Sequence, residues 1–353
     1  MKRKLRVGDW VEVRSQEEIL QTLDLNAEFD GMPFMPEMFA FCGKRFQVYK
    51  RAHKTCDTVF PVRGRRVADA VHLETRCNGS AHGGCNASCL LFWKTAWLKP
   101  VEGNGSESRT AESSAVERLE SVERACTQGV DSADGEIRYR CQATQLPHAT
   151  TELEWWDPRQ YVEDFASGNV GIGRILGGAI YITAYTLSRA GVGLGRPIRW
   201  FYDKFYPLWG GAPFPRRAGT IQDDEPTPVK VLNLQPGELV LIKPLPDILK
   251  TLNQSNRNRG LYFDAEEVPY CGKTYRVLKR VERIINERTG KMQPMKTPAV
   301  ILDSVICESR YSECRFFCPR SIYPYWREIW LERVPFDGQE KDLAPANTAG
   351  AQR

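Results

Sequence analysis

The alternation of apolar and polar residues near the start of the chain predicts a short β-strand followed by a helix. Val11 and Val13 fall on one face of this segment and alternate with side chains on the other face, as in a half-buried strand. Ser15 then stands at an N-cap position with Glu18 three residues later, which is the spacing of a capping box. The pattern therefore predicts a strand that leads into a short, capped helix.

The elements that follow complete a small module. Gly31 predicts a turn, and Met35–Phe39 predicts a second brief helical turn. Three apolar strands are predicted after it, at residues 45–51, 70–76 and 90–98. A strand, two short helical segments and three more strands together indicate a small curled sheet.

The whole pattern occurs twice, because residues 8–101 and 237–334 are two copies of one module. The copies align without a gap from Gly8 to Arg51 at an offset of 229 residues, which places Gly8 on Gly237, and the later match of residues 92–101 follows a four-residue insertion in the second copy. The second copy has Pro244 in place of Ser15, so its first helix has a weaker start signal. The best-matched segments are Phe41-Cys-Gly-Lys-Arg-Phe-Gln-Val-Tyr-Lys-Arg and Tyr270-Cys-Gly-Lys-Thr-Tyr-Arg-Val-Leu-Lys-Arg. A match of this length and register indicates an internal duplication.

Each copy resembles the SH3-like barrels, which begin with a Gly-Asp-x-Val-x-Val strand and continue with a Gly-Lys-x-x-x-Val strand. The first copy has these motifs at Gly8–Val13 and Gly43–Val48. The resemblance implies an α+β, mainly β fold of tandem SH3-like barrels joined by a helical hydrophobic segment, and it implies no function. The phrase Tyr323-Pro-Tyr-Trp-Arg-Glu-Ile-Trp-Leu-Glu-Arg-Val also resembles a group of uncharacterised bacterial proteins with no assigned activity.

The chain is predicted to have six parts. The segment between the copies is Ser- and Glu-rich at first and then predicts an extra strand at Ile137–Thr144. The parts are the first cysteine-bearing β module (1–101), a polar loop with an extra strand (102–160), a helical apolar and aromatic segment (161–216), a linker (217–235), the second cysteine-bearing β module (236–335) and a disordered tail (336–353).

Composition places the chain among soluble globular proteins. It has 353 residues, of which 42% are hydrophobic, and a net charge of +5 that permits an anionic partner without requiring one. The basic N-terminus is not followed by an apolar run of signal-peptide length, so we expect a cytoplasmic protein. In a reducing compartment, clustered cysteines more often hold metal or stay free than form disulfides.

The duplication shows which of the 11 cysteines both copies contain. They are Cys42, Cys77, Cys85 and Cys89 in the first copy and Cys271, Cys307, Cys314 and Cys318 in the second. Four thiolates in each module match the closed tetrahedral set of a structural zinc site. An iron–sulfur cluster also takes four cysteine ligands, and buried cysteines that only pack in a core are the third interpretation. The predicted cofactor is Zn²⁺, with an iron–sulfur cluster as the alternative.

The first copy has further candidate ligands that the second copy lacks, namely His53, Cys56, His72 and His82. His82 lies within the cysteine loop, so this module is the one in which chemistry is expected. A histidine beside a low-pKa cysteine can form a nucleophilic pair, but the sequence identifies no third residue to orient it. The repeat predicts no role for Cys126 and Cys141, which lie between the copies.

Residues 170–194 form the most apolar stretch of the chain. Only 14 uncharged residues lie between Arg174 and Arg189, fewer than the ~20 that a membrane span requires. Basic and aromatic residues follow at 196–209, as in helices that lie in a membrane interface. The alternatives are a helical hairpin with an aromatic core, or a segment that docks on a membrane or a protein.

The sequence favours a metal-stabilised, non-enzymatic binding or scaffold protein. The expected partner is a protein or polymer, with peripheral contact at the inner face of the membrane through residues 170–209. One alternative is an iron–sulfur electron-transfer protein. Another is a nucleic-acid-binding protein that uses the basic residues at Lys50–Lys54 and Lys279–Arg283.

Overall fold

The computed structural model describes residues 4–60, 63–101, 116–128, 135–190, 193–209 and 211–335. The chain forms two compact units. The first unit comprises Met1–Val170, Arg283–Pro294 and Glu313–Ile322, and the second comprises the rest of the chain. The predicted tail at 336–353 and the start of the polar loop, 102–115, lie outside the described residues.

The first copy of the repeat forms short strands in small antiparallel sheets. Trp10–Val13 is the central strand of one three-stranded sheet, and Ala70–Arg76 is the central strand of another. The predicted strand at 45–51 is interrupted after Gln47, and the one predicted at 90–98 ends at Lys94. The strands of this copy are Trp10–Val13, Glu28–Phe29, Met32–Pro33, Arg45–Gln47, Lys50–Arg51, Lys54–Cys56, Gly64–Val67, Ala70–Arg76, Leu90–Lys94 and Leu98–Pro100.

The second copy replaces several of these short strands with a long hairpin. The hairpin strands are Thr274–Ile285 and Met292–Leu302, and its tip, Arg283–Pro294, belongs to the first unit. They lie in a five-stranded sheet whose order is Trp326–Arg327, Met292–Leu302, Thr274–Ile285, Leu239–Ile242 and Leu331–Arg333. A further pair of strands is Arg257–Asn258 and Leu261–Tyr262.

Corresponding strands of the two copies pair in the same register. Val11 lies opposite Phe46 in the first copy. Its counterpart Val240 lies opposite Tyr275, the counterpart of Phe46, in the second. Equal register places the same repeat positions on the buried face in both copies, because side chains alternate between the two faces of a strand.

Short helices occur at the positions that the sequence predicts. Ser15 caps the helix Gln16–Leu20, since its Oγ accepts the Glu18 N–H at 3.3 Å and the Glu18 carboxylate accepts the Ser15 N–H at 3.1 Å. The predicted capping box is therefore confirmed. The equivalent helix, Leu245–Leu249, follows Pro244 and has no side-chain cap. The 3₁₀ helices of the two copies are Pro36–Phe41, Thr95–Trp97, Ala265–Tyr270 and Glu328–Trp330.

The segment after the first copy adds both helices and strands to the first unit. The predicted strand at Ile137–Thr144 is wrong beyond Tyr139, because Thr144 Oγ1 accepts the Cys141 N–H at 2.9 Å and a helix begins at Gln142. The strand that extends a sheet of the first copy is Thr150–Leu153, which pairs with Gly64–Val67. The helices of this segment are Val116–Ala125, Gln142–Ala149 and Arg159–Ala166. Its strands are Thr127–Gln128, Arg138–Tyr139 and Thr150–Leu153.

Two helices, Ile172–Arg189 and Gly195–Phe205, precede the 3₁₀ turn Tyr206–Trp209 in the second unit. Tyr181 and Tyr202 are buried and pack with their ring centroids 6.2 Å apart. Phe214 lies 5.5 Å from the Tyr202 ring, so these aromatics form a core for the helix pair. No helix in the described part of the chain is both long enough and apolar enough to cross a membrane.

The described elements have the α+β composition that the sequence predicts, in small antiparallel sheets. None of the sheets formed by the described residues closes into a barrel. The core of the first copy centres on Trp93 and Trp97, which are fully buried. Residues 77–89, described next, form a loop at the edge of this core.

Candidate metal centre

The cysteine loop, residues 77–89, begins after the strand Ala70–Arg76 and ends before Leu90–Lys94. The Cys77 N–H donates to the Cys89 carbonyl at 2.9 Å, which closes the loop at its base. Gly79 has φ +76°, and a β-carbon there would overlap the carbonyl oxygen of Cys85. The loop folds this tightly because glycine adopts positive φ without a side chain.

Glu37, Cys77 and His82 form a group of potential metal ligands beside this loop. One ligand atom from each residue lies within 4.8 Å of the others. His82 Nδ1 is 2.8 Å from Glu37 Oε1, and Cys77 Sγ is 3.7 Å from the same oxygen. Glu37 and His82 are buried, and Glu37 Oε2 has no hydrogen-bond partner within the described structure.

The surroundings of Glu37 favour its charged form. Burial raises the pKa of this carboxyl, but the hydrogen bond and charge of His82 and the hydrogen bonds from the backbone, including the Ala81 N–H, together bring the pKa below its usual value. Burial and the nearby Glu37 carboxylate raise the pKa of the Cys77 thiol well above its usual value. A carboxylate, a thiolate and an imidazole are all zinc ligands in proteins, so the group could hold a metal ion.

The structure brings together a different set of cysteines from the four predicted for the first copy. Cys77, Cys85 and Cys89 line one small cavity, and the fourth cysteine on its wall is Cys141. Cys42 lies at the end of the 3₁₀ helix Pro36–Phe41 and is not part of that wall. The Glu37 group is the one set of three potential ligands that meets the 4.8 Å distance among the described residues, and it contains a single cysteine.

The four predicted cysteines of the second copy are divided between the units. Cys271 and Cys307 belong to the second unit, where Cys307 Sγ lies 3.4 Å from Ser309 Oγ. Cys314 and Cys318 belong to the first unit. There, Cys318 Sγ accepts the backbone N–H of Cys56 at 3.0 Å, so Cys56 lies beside a cysteine rather than in the cysteine loop.

His72 is a buried histidine of the core. Its Nδ1 lies 2.8 Å from the Leu91 carbonyl oxygen, and its ring centroid is 4.5 Å from that of Phe92. Burial lowers the pKa of His72 to about 3, so the ring is neutral at physiological pH. The structure does not bring His72 into the Glu37 group.

His53 belongs to a separate, charged cavity of the first unit. The cavity has a volume of about 350 Å³, and its wall includes Arg51, Arg66 and Glu163. His53 Nε2 lies 3.1 Å from the buried carboxylate of Asp164. The predicted extra ligands are therefore found at several places, and only His82 lies in the cysteine loop.

Glu37 and Cys141 are the site residues that sequence reasoning missed. The sequence does mark Glu37, because the second copy has a glutamate, Glu266, at the same offset. It does not mark Cys141, since this residue lies outside the repeat. Comparisons with known proteins give no assignment: no protein-family model, curated protein or solved structure matches the chain.

Proposed function

We propose that the protein is a metal-stabilised, non-enzymatic binding or scaffold protein that docks on an anionic lipid surface through its two helices, residues 172–205. The helices are held by their buried aromatic core and leave a second, apolar side open. The metal holds the cysteine loop of the first unit. Docking and metal stabilisation are tested separately below.

The exposed apolar side of the helices carries this proposal. Ile172, Leu176 and Ile180 recur every four residues along Ile172–Arg189, and 64%, 59% and 47% of their surfaces are exposed. Trp200 and Phe201 on the next helix are 64% and 59% exposed. Several large apolar side chains exposed at helical spacing are typical of a surface that binds a partner.

Basic residues beside these aromatics favour an anionic partner. Arg196, Arg199 and Lys204 are exposed on the helix Gly195–Phe205, which also presents Trp200. Tryptophan with arginine and lysine on one amphipathic helix is the composition of helices that lie in a membrane interface.

Sedimentation with lipid vesicles tests the docking side. The wild-type chain should bind vesicles that contain phosphatidylglycerol more tightly than vesicles of phosphatidylcholine alone, and binding should weaken with salt. The double variant Trp200→Ala/Phe201→Ala should bind at least about 100-fold more weakly, because each large apolar side chain contributes about 1.5–3 kcal/mol when buried and every 1.4 kcal/mol is about tenfold in affinity.

The matched control is Leu278→Ala, which removes a 42% exposed apolar side chain from the second unit outside the two helices. It should bind vesicles as the wild type does. Equal binding by the double variant and the wild type would contradict docking through the helices. Failure of the wild-type chain to bind either vesicle would exclude a lipid partner.

Potential ligands around Cys77 support metal stabilisation. A bound ion would contribute to folding, because the unfolded chain has no preformed site. We expect zinc at a fixed ratio to the chain and no visible absorbance when the protein is purified without oxygen and its metal content is measured. Iron with a broad visible band would instead favour the iron–sulfur electron-transfer alternative, and absence of both metals would contradict the proposal.

A further inference from the structure

Two buried cysteines of the first unit, Cys56 and Cys318, lie in direct contact. The Cys56 N–H donates to Cys318 Sγ at 3.0 Å, and the two thiols are also joined by a hydrogen bond. Only 7% of the Cys56 surface and 4% of the Cys318 surface are exposed. No disulfide joins the two residues in the structure.

The contact brings together two sulfur atoms without a third metal ligand. The Glu37 group is the one set of three potential ligands that meets the 4.8 Å distance among the described residues, and it contains neither Cys56 nor Cys318. A structural zinc site is closed by four protein ligands. Two adjacent thiols without further ligands instead have the composition of a disulfide.

The separation and direction of the two side chains suit a disulfide. The N–Cα bond is about 1.5 Å long, so Cys318 Sγ lies within about 4.5 Å of the Cys56 Cα. Disulfides also require that the two side chains point towards each other. Cys318 meets this condition because its sulfur reaches the Cys56 backbone, and Cys56 meets it because its thiol is hydrogen-bonded to that of Cys318.

The backbone of Cys56 is held in a β-sheet. Cys56 ends the strand Lys54–Cys56 and lies opposite Gly64 in the neighbouring strand. The Asp57 N–H continues the pairing by donating to the Arg63 carbonyl at 3.1 Å. This cysteine therefore has a fixed main chain to which a partner can be joined.

The Cys318 segment, residues 313–322, is attached to the first copy of the repeat by side-chain contacts. Arg320 Nη1 donates to Thr58 Oγ1 at 3.2 Å, two residues after Cys56 in the chain. On the next residue, Ser321 Oγ accepts a hydrogen bond from Lys50 Nζ at 2.8 Å. These contacts hold the segment beside the strand that contains Cys56.

Phe317 sets the direction of the chain immediately before Cys318. Its φ is +57°, which is uncommon for a residue other than glycine. Its buried ring packs nearly perpendicular to that of Tyr161, with the centroids 6.3 Å apart. The ring anchors the turn that precedes Cys318.

Cationic side chains lie near the two thiols. The hydrogen bond from Cys318 and burial raise the pKa of the Cys56 thiol well above its usual value, whereas Arg320 and Arg315 lower it. Lys54 also interacts electrostatically with Cys318. Nearby cations favour the thiolate, which is the reactive form in thiol–disulfide exchange.

We propose that Cys56 and Cys318 form a reversible disulfide that fastens the Cys318 segment to the first copy of the repeat. In a reducing compartment the two thiols stay reduced, and the bond forms when the share of small-molecule disulfides rises. The disulfide requires neither the metal nor the docking side. Its failure would therefore leave both of those proposals standing.

The reaction is an exchange with a small disulfide such as glutathione disulfide. The Cys318 segment contains no helix or strand among its described residues, so it can open locally and admit the reagent. The Cys318 thiolate attacks the reagent, forms a mixed disulfide and releases one glutathione thiolate. The Cys56 thiolate then attacks the Cys318 sulfur and releases the second. Two protein thiols are oxidised, and the reagent is reduced to two glutathione thiols that take up the two protons.

Peptide mapping of the full-length wild-type chain tests the bond directly. The protein is incubated with mixtures that range from reduced glutathione to glutathione disulfide, alkylated, and digested without a reductant. Mass spectrometry should find a peptide pair that links Cys56 to Cys318 in more than half of the chains at the oxidising end, and dithiothreitol should remove it. Absence of this pair from every mixture, or linkage of both cysteines to other partners, would overturn the proposal.

Urea unfolding measures whether the bond fastens the segment. The bond would close a loop between residues 262 positions apart, so oxidation should lower the equilibrium constant for unfolding by about 30-fold or more. Cys318→Ala should gain nothing on oxidation. The matched control is Cys126→Ala, which removes another buried cysteine of the first unit and should keep the full gain.

Two results of the unfolding experiment would contradict the proposal. A gain in Cys318→Ala equal to that of the wild type would show that another cysteine pair is responsible. A linked peptide pair without any gain in the wild type would show that the bond does not fasten the segment. If Cys318→Ala does not fold, the peptide mapping of the wild-type chain still decides whether the bond forms.

Discussion

The two copies of the repeat have the same aromatic packing. Phe34 lies 5.1 Å from the Trp97 ring, and the counterparts Phe263 and Trp330 lie 5.2 Å apart, nearly perpendicular in both cases. The indole N–H donates to a threonine hydroxyl in each copy, at 3.1 Å in the first and 3.0 Å in the second. The positions that build the core have therefore kept their contacts since the duplication.

The residues that face the shared glutamate differ between the copies. Glu37 is beside His82, and its pKa lies below the usual value. Glu266 has Tyr311 at the equivalent position and accepts hydrogen bonds from backbone N–H groups. Burial, together with the nearby Asp264 carboxylate, raises its pKa to about 7, although the hydrogen bonds from the Tyr311 and Arg310 backbone act in the opposite direction. The two copies therefore share a core and a buried glutamate but differ in the residue that faces this glutamate, which is His82 in the first copy and Tyr311 in the second.

Substitution of the shared tryptophan is the most severe test of core equivalence. Trp97→Ala and Trp330→Ala should each lower the free energy of unfolding by about 3–5 kcal/mol, because each removes a fully buried ring. Urea titrations of both variants at constant metal content would measure the loss. If one variant lost several times more unfolding free energy than the other, the two copies would differ in stability despite their similar aromatic packing.

The pH dependence of stability should distinguish the two glutamates. The pKa of Glu266 is about 7 in the folded chain and has an ordinary value of 4.5, so the folded state binds the proton more tightly. Glu266 therefore contributes about 3 kcal/mol to the free energy of unfolding below pH 4.5, and this contribution is lost as the pH rises through 7.

Glu266→Gln removes this titration. The difference in unfolding free energy between wild type and variant should therefore change by about 3 kcal/mol between pH 4.5 and 7.5, as measured by urea unfolding across that range. A difference that stays constant with pH would show that Glu266 keeps an ordinary pKa.

Gly79 tests whether the cysteine loop depends on its tight turn. Gly79→Ala should lower the free energy of unfolding by about 2 kcal/mol, because the alanine would combine a strained positive φ with a clash against the Cys85 carbonyl. The control is Gly43→Ala, where φ is +72° but no atom lies within 4 Å of the added carbon, so a cost of about 1 kcal/mol is expected. Equal costs would mean that the close approach to Cys85 contributes nothing.

The smallest expected effect concerns the helix caps. Ser15→Ala should destabilise the first copy by about 1 kcal/mol, because it removes the acceptor for the Glu18 N–H. Pro244→Ala in the second copy removes no side-chain cap and should not cause that loss. Thermal unfolding of the two variants measures the difference, and matching losses would argue against a contribution from the capping box.

Local elements could be predicted well from the sequence. The capping box at Ser15 and the short helical turn at Met35 depend on neighbouring residues, and their signals are complete within a few positions. The helix at Gln142 was missed because Thr144 favours strands by its branching but here caps a helix through its hydroxyl.

The candidate site was only partly predictable. The duplication identified Cys77, Cys85 and Cys89, because both copies retain them in one loop. It also favoured Cys42, which tertiary packing leaves away from that cavity wall. Cys141 is held near the loop by contacts between Gln142 and Phe92, residues 50 positions apart in the chain, and no local pattern reports such a contact.

The assignment of Arg283–Pro294 and Glu313–Ile322 to the first unit has a consequence for biosynthesis. Cys56 and Cys318, which are in contact within that unit, are separated by 262 residues. At translation rates of about 5–20 residues per second, the ribosome needs roughly 15–50 s to make the chain between them. The first unit therefore stays incomplete until Cys318 has been synthesised, so contacts such as the one between Cys56 and Cys318 are among the last that it can form.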